Sequence, residues 1–281
     1  MPELPEVETV RRTLLPVVAE QVIADCVVYY PRVLPLNTVD EFCTKISSRR
    51  IVDLQRHGKY LLFMLDAPEC LVVHLRMTGQ LVYVHEPVGP IPKHTSVQFL
   101  FNDGSELRFI DQRKFGTMYL LPVSELDKIH GLASLGPEPL TPQFTYAAFA
   151  KQLNSPRAIK QILLDQSKIA GLGNIYCDEA LYRAQIHPLR PGKSLSETEI
   201  RNLYTAIIAV LEEAIACHGT TIRDYRTGSG DPGNFQNKLR VYHRTGQPCF
   251  VCRALIERIK VGGRSSHYCP NCQRWESTCE D

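Results

Sequence analysis

Two groups of residues in this 281-residue chain have types and spacings that suit particular chemistry. The first is Cys249-x2-Cys252 followed, after sixteen residues, by Cys269-x2-Cys272. Four thiolates arranged as two knuckles meet the tetrahedral requirement of Zn2+. Four protein ligands leave no position for water, so the expected metal is one structural Zn2+, stapling a segment too short to bury its own core. The second group is Pro2 with Glu3, Glu6 and Glu8 close behind it. A proline nitrogen is a secondary amine only at the start of a chain, and a small residue at position 2 permits removal of Met1. Such an amine is a nucleophile in its neutral form. A helix N-terminus favours that form, and neighbouring carboxylates oppose it.

The N-terminal group needs a helix behind it. Val7, Val10, Leu14 and Val17 recur at helical spacing, with Pro5 suited to a first turn and Glu6 and Glu8 at its positive end, which predicts one amphipathic helix. Residues 26–34, 49–65, 70–84 and 95–121 read as short β-runs, and Asn102-Asp103-Gly104 marks a turn between two of them. The repeated pattern predicts an antiparallel sandwich or barrel. Glycine and proline break it over 130–142. Helical composition then occupies 144–153, 157–164, 175–184 and 197–217. Residues 220–246 turn polar and glycine-rich, which predicts a long mobile loop. Between the cysteine pairs, alternation suits a hairpin with Gly262-Gly263-Arg264 at its tip. The chain thus divides into a β-domain over 1–128, a linker over 129–142, a helical domain over 143–222, a loop over 223–246 and a metal hairpin over 247–274.

Composition fits this α+β organisation, with 44% hydrophobic and 22% charged residues sufficient for a real core. No stretch approaches eighteen uninterrupted apolar residues, and the acidic N-terminus lacks the features of an export signal, so a cytosolic location with no membrane association is expected. Cys26, Cys43, Cys70, Cys177, Cys217 and Cys279 are scattered and read as small hydrophobes or inert thiols. The net charge of +2 hides an asymmetry: residues 223–274 hold ten Lys/Arg against three Asp/Glu, leaving the rest acidic by five. A basic C-terminal region suits a polyanionic partner.

Several short strings add up to a specific pattern. Pro2-Glu3-Leu4-Pro5-Glu6-Val7-Glu8 and Cys269-Pro270-Asn271-Cys272-Gln273 stand at the two ends. Between them, in order, come His57-Gly58-Lys59-Tyr60, His74-Leu75-Arg76-Met77, residues 111–116, residues 171–176 with Asp178-Glu179-Ala180, and Asn234-Phe235-Gln236. Together they resemble the formamidopyrimidine-DNA glycosylase family over nearly the whole chain. The resemblance implies a β-sandwich N-terminal domain with an N-terminal helix, then a helix-two-turn-helix domain and a zinc-bearing hairpin. It further implies a bifunctional DNA glycosylase and abasic-site lyase of base excision repair. Such an enzyme removes 8-oxoguanine and formamidopyrimidines through a Schiff base on Pro2 and cleaves the strand by β,δ-elimination.

In the residues matching the family, Pro2 is the nucleophile, Glu3 the acid/base on the sugar, Glu6 a supporting carboxylate and Lys59 a phosphate ligand beside the lesion. Met77, Arg113 and Phe115 would fill the hole left by an extruded nucleotide, although Met and Phe are more often core residues. His74, Asn174, Tyr242 and Arg264 would join Lys59 on phosphates. Asn174 follows Gly171-Leu172-Gly173 at a helix start, where backbone can approach an anion. The loop with Gly228, Gly230 and Gly233 resembles the lid over the extruded base. Damaged duplex DNA is the implied partner of a monomer with no nucleotide cofactor. Two departures, Arg253-Ala254 and His243, lie beside phosphate-binding elements. Two other readings remain open at the level of sequence: an endonuclease VIII type enzyme acting on oxidised pyrimidines, and a zinc-containing DNA-binding protein without catalysis.

Overall fold

Helix α1 (Leu4–Val18) buries Val7, Val10, Leu14 and Val18 on one face. The stripe ends on Val18, while Val17 is exposed, a shift from the expected pattern. Positions three and four residues beyond Leu14 both continue a helical stripe, so spacing alone does not choose between them. Pro5 occupies the first turn, where its missing N–H costs nothing. The structure, a computed structural model, describes residues 1–275, so Cys279 lies outside the described residues.

The chain separates into two units, Met1–Ala133 with Ala214–Gln236, and Ser134–Glu213 with the residues from Asn237 onward. The first unit is built on two four-stranded antiparallel sheets. One runs in the order β1 (Ile23–Val28), β6 (Thr95–Phe101), β7 (Glu106–Asp111), β5 (Gly79–Val84). The other runs β2 (Ile51–His57), β3 (Tyr60–Leu65), β4 (Glu69–His74), β8 (Thr117–Pro122). Side chains from every strand, including Phe63, Phe99 and Phe109, meet α1 in one core, as a sandwich requires. The turn at Asn102–Asp103–Gly104 joins β6 to β7 as expected.

Three parts of this unit differ from the sequence expectation. Residues 31–33 form a 3-10 helix, where a β-run was expected to continue to 34. Helix α2 (Val39–Ile46) was not expected at all. It is closed by a capping box in which Thr38 accepts from the Glu41 N–H and Glu41 accepts from the Thr38 N–H. Helix α3 (His130–Ala133) occupies residues expected to be linker.

The second unit holds α4 (Tyr146–Leu153), α5 (Ile159–Leu164), α6 (Asn174–Arg183) and most of α7 (Glu197–Ala216). Two turns join α5 to α6, and Gln166 pins them: its Nε2 donates to the carbonyls of Leu164 and Leu172, and its Oε1 accepts the Gly171 N–H. β9 (Glu257–Val261) and β10 (Arg264–Tyr268) form the hairpin. Gly262 and Gly263 both adopt positive φ, the geometry a tight two-residue turn demands, and they leave Arg264 exposed beside the tip.

Candidate functional site

Glu3 is the N-cap of α1, immediately after a buried Pro2, and the first turn is closed by reciprocal bonds between Glu3 and Glu6. Both carboxylates are buried. Glu6 Oε2 accepts the Glu3 N–H at 2.9 Å, and Glu6 Oε1 accepts the Thr220 N–H at 2.7 Å. Tyr225 Oη donates to the Glu6 carbonyl at 3.3 Å. Burial next to Glu6 pushes the Tyr225 phenol far above its usual range, so it remains a donor. The loop expected to be a lid is therefore fastened to the helix that follows Pro2. Its middle is fastened too, since Gly228 donates to Thr13 Oγ1 at 2.9 Å and accepts from the Tyr83 N–H at 3.0 Å. Met1 is exposed and precedes the helix, where a peptidase can reach it.

Lys59 lies in the two-residue turn between β2 and β3, and it is buried although a hairpin lysine is usually solvated. His74, at the end of β4, is buried edge-on to Tyr60. Burial pushes its imidazole down to about 3, with the charges of Arg76 and Lys59 acting the same way. His74 Nδ1 accepts the Arg76 N–H at 3.0 Å, so the neutral ring carries its proton on Nε2.

Met77, Arg113 and Phe115 sit on two loops drawn together by one carboxylate. Asp111 Oδ1 accepts from Thr78 Oγ1 at 2.5 Å and from the Arg113 N–H at 3.2 Å, and Oδ2 accepts the Gly116 N–H at 2.7 Å. Phe115 is 52% exposed, with the Arg113 guanidinium 4.8 Å from its ring centre. Met77 is half-buried. The commoner core fate of a phenylalanine does not hold here.

In the second unit, Asn174, Tyr242 and Arg264 line one hollow with His243, Thr245, Arg258, Gly263, Ser265 and His267. None of these residues is acidic. Asn174 is the first residue of α6; its Nδ2 donates to the Ser265 carbonyl, and its Oδ1 is buried without a hydrogen-bond partner. The departure noted at position 243 places an imidazole stacked on His267, with ring centres 5.7 Å apart.

Two adjacent acids of α6 hold this hollow together, and sequence reasoning assigned neither a role. Asp178 binds Lys160 Nζ at 2.6 Å, with both side chains fully buried. It also accepts from Ser266 Oγ and from the backbone and Nδ1 of His267, which ties β10 to α6. Glu179 accepts three successive backbone N–H groups, from Arg240, Val241 and Tyr242. Burial raises the Glu179 carboxyl against those three donors.

The Sγ atoms of Cys249, Cys252, Cys269 and Cys272 lie within 4.8 Å of one another. Zn–S bonds of about 2.3 Å in a tetrahedron put sulfurs roughly 3.8 Å apart, so the four thiolates fit one Zn2+ with no open position. Tyr182 Oη lies 3.2 Å from Cys249 Sγ, and the Val251 and Cys272 N–H groups donate to Cys249 and Cys269 Sγ. A hydrophobic cluster of Tyr182, Val241 and Ile256 surrounds Cys249 and Cys269.

Comparison with known proteins gives three consecutive family matches. The formamidopyrimidine-DNA glycosylase N-terminal domain matches residues 1–118, the formamidopyrimidine-DNA glycosylase H2TH domain matches 135–226, and a zinc finger found in FPG and IleRS matches 246–274. The formamidopyrimidine-DNA glycosylase of Geobacillus kaustophilus is 46% identical over 98% of this chain and 100% of its own length. That of Pelotomaculum thermopropionicum is 48% identical over 98% of this chain and 99% of its own. Among solved structures, Lactococcus lactis Fpg in complex with abasic-site DNA superposes with a TM-score of 0.90 at 38% identity, covering 97% of this chain and all of that one. MutM in complex with DNA containing carbocyclic 8-oxo-G gives a TM-score of 0.90 at 38% identity, covering 98% of this chain and all of that one.

Proposed function

Because the chain belongs to the formamidopyrimidine-DNA glycosylase family, whose members are DNA glycosylases and abasic-site lyases, we propose that it excises oxidised purines from damaged duplex DNA through the amine of Pro2. The observation that carries this reading is the start of α1. A buried proline one residue from the end of the chain is followed by two buried carboxylates locked by the capping box.

While Met1 is present the Pro2 nitrogen is an amide; its removal converts that nitrogen to a secondary amine. The neutral amine then bonds to C1′ of the damaged nucleotide as the C1′–base bond breaks, and the base leaves with the bonding pair and a proton. Glu3 protonates O4′ as the sugar ring opens, and the amine, having lost its proton, becomes an iminium. That cation makes the C2′ proton acidic: its loss to the Glu3 carboxylate, freed by the earlier transfer, expels the 3′-phosphate through the resulting enamine, and loss of the C4′ proton then expels the 5′-phosphate, which completes β,δ-elimination. Glu6 holds the Glu3 backbone and the 220 segment in place.

DNA binding rests on residues of both units. Extruding a nucleotide costs a few kcal/mol of unstacking, and exposed Phe115 with Arg113 and Met77 supplies the side chains to fill the gap. Lys59 and His74 serve phosphates in one unit, and Asn174, Tyr242 and Arg264 do so in the other. Zn2+ held by Cys249, Cys252, Cys269 and Cys272 supplies structural cross-linking, which keeps β9 and β10 in register with Arg264 at the tip. Among the described residues no helix is long and apolar enough to cross a membrane. The enzyme is read as a cytosolic monomer that uses no nucleotide cofactor.

Borohydride trapping on abasic duplex tests the mechanism: the Met1-processed protein should form a covalent adduct, and the same chain with Met1 retained, whose Pro2 nitrogen is an amide, should form it far more slowly. Cleavage of duplexes with 8-oxoguanine or thymine glycol, opposite cytosine or adenine, tests the substrate. Preference for thymine glycol would replace the purine reading with the pyrimidine one.

A further inference from the structure

Three arginines converge on a single buried carboxylate near the start of α1. Glu8 Oε1 accepts from Arg11 Nη2 at 2.8 Å and from Arg12 Nε at 2.7 Å, and Oε2 accepts from Arg11 Nε at 3.1 Å and from Arg56 Nε at 3.0 Å. The three cations are not equivalent. Arg12 is largely exposed and Arg11 partly so, whereas the Arg56 side chain is as buried as that of Glu8, each 9% exposed. A buried guanidinium with one carboxylate would leave donors to satisfy. Arg56 Nη1 donates to the Gly58 carbonyl at 3.0 Å.

That carbonyl belongs to the Gly58–Lys59 peptide, the centre of the two-residue turn joining β2 to β3. Gly58 has φ +56°, as the first central position of a II′ turn requires, and Lys59 follows it. The orientation of one peptide plane therefore sets the direction in which the Lys59 side chain departs. A guanidinium is a rigid fork, so fixing its Nε on Glu8 fixes where its Nη1 points. The chain of contacts runs from α1 through Glu8 and Arg56 to the backbone of Lys59. Arg11 adds a second tie from α1 to β2 through the Leu54 carbonyl at 3.4 Å. Burial pushes the Glu8 carboxyl up, but the bonds from Arg11, Arg12 and Arg56 outweigh it and hold the group at about 2, so the clamp stays charged at any working pH.

We propose that Arg56 is a positioning residue: seated on Glu8, it orients the Gly58–Lys59 peptide and so keeps Lys59 in fixed register with the helix start that carries Pro2. This rests on the roles of Pro2 and Lys59 proposed above. It adds a residue that touches neither substrate nor the reacting atoms and acts on the rate of the covalent step through Lys59.

The test uses the full-length, zinc-loaded, Met1-processed enzyme with Arg56→Met and Arg56→Lys. Four quantities are read: the trapping end-point, which counts active molecules, the single-turnover trapping rate on abasic duplex, the Kd for a reduced abasic duplex, and the Tm. In Arg56→Met the trapping rate per active molecule should fall on the order of 10- to 100-fold, the effect of misplacing a group by about an ångström. Its Kd should rise by less than the rate falls, because Lys59 is one of several phosphate ligands, and at saturating duplex the remaining loss of rate reports positioning alone. Arg56→Lys keeps a cation beside Glu8 but has no fork, so it should recover the Tm and leave the rate low. Should Arg56→Met be poorly folded, Arg56→Lys carries the decision alone. A wild-type trapping rate in either variant overturns the inference, because a role in folding alone is then sufficient. Absence of any adduct with the unmutated enzyme overturns the Pro2 reading and this inference together, and that result is visible without either variant.

Discussion

The Glu6 carboxylate accepts the backbone N–H of Thr220 at 2.7 Å across 214 residues of chain, while its other oxygen accepts the N–H of Glu3. One buried side chain thus governs both the start of α1 and the entry to the 220 segment. Glu6→Ala strands two buried N–H groups at about 1–3 kcal/mol each. Glu6→Gln keeps one acceptor oxygen and should lose roughly half as much. Amide hydrogen exchange should show the loss of protection at Thr220 in both variants. Unchanged exchange at Thr220 in Glu6→Ala would remove Glu6 as the anchor of that segment.

His74 offers a prediction in pH. Its folded value of about 3 lies below the ordinary 6.5, because burial, and then Arg76 and Lys59, disfavour the charged ring. The unfolded chain therefore binds the extra proton first. The stability contributed by neutral His74 is complete above pH 6.5 and is lost as pH falls from 6.5 towards 3. His74→Gln should flatten the fall of Tm across that window. Because the ring is neutral at pH 7, the same variant should leave the salt dependence of DNA affinity unchanged, whereas Arg264→Met should reduce its slope by roughly one. An equal loss of slope in both variants would show that His74 binds phosphate as a cation.

Much of this site was legible because its signals are local. The zinc ligands announce themselves by spacing, and the turn at Gly262-Gly263 follows from a requirement for positive φ that the sequence displays. Helix α2 had a signal, since Thr38 and Glu41 form a capping box three residues apart and Phe42 and Ile46 follow at helical spacing, but eight residues give too few turns for that periodicity to stand out. The rest was hidden for a physical reason. Glu179 binds backbone N–H groups 61 to 63 residues away, and any residue can supply those donors, so no side-chain pattern marks them. Thr220 contributes a backbone N–H to Glu6 in the same way.

The fully buried Lys160–Asp178 pair makes a stability prediction with a built-in control. Asp178→Asn leaves an ammonium in the interior opposite only the Ser265 carbonyl and an amide, and should cost about 3–5 kcal/mol in urea unfolding. Replacing both partners, as Lys160→Met with Asp178→Leu, removes the stranded charge and should recover a large part of that loss. It cannot recover the bonds from Ser266 and His267, so DNA affinity should remain low in the stable double variant. A double variant that binds DNA normally would show that Asp178 does not position β10.

The metal site separates binding from chemistry. None of the four cysteines lies in the unit that holds Pro2, Glu3 and Lys59. Metal analysis should give one equivalent of Zn2+, and Cys269→Ser should loosen β9 and β10 and weaken DNA affinity. At saturating abasic duplex the variant should still yield the borohydride adduct, because its amine is untouched. Tyr182→Phe is the finer probe. It removes only the hydroxyl beside Cys249 Sγ and should weaken zinc affinity by about 10- to 100-fold, read by competition with a chromophoric chelator. If Cys269→Ser abolished the adduct even at saturating DNA while its Tm held, zinc would have to act on the amine itself, and the division of labour between the two units would fail.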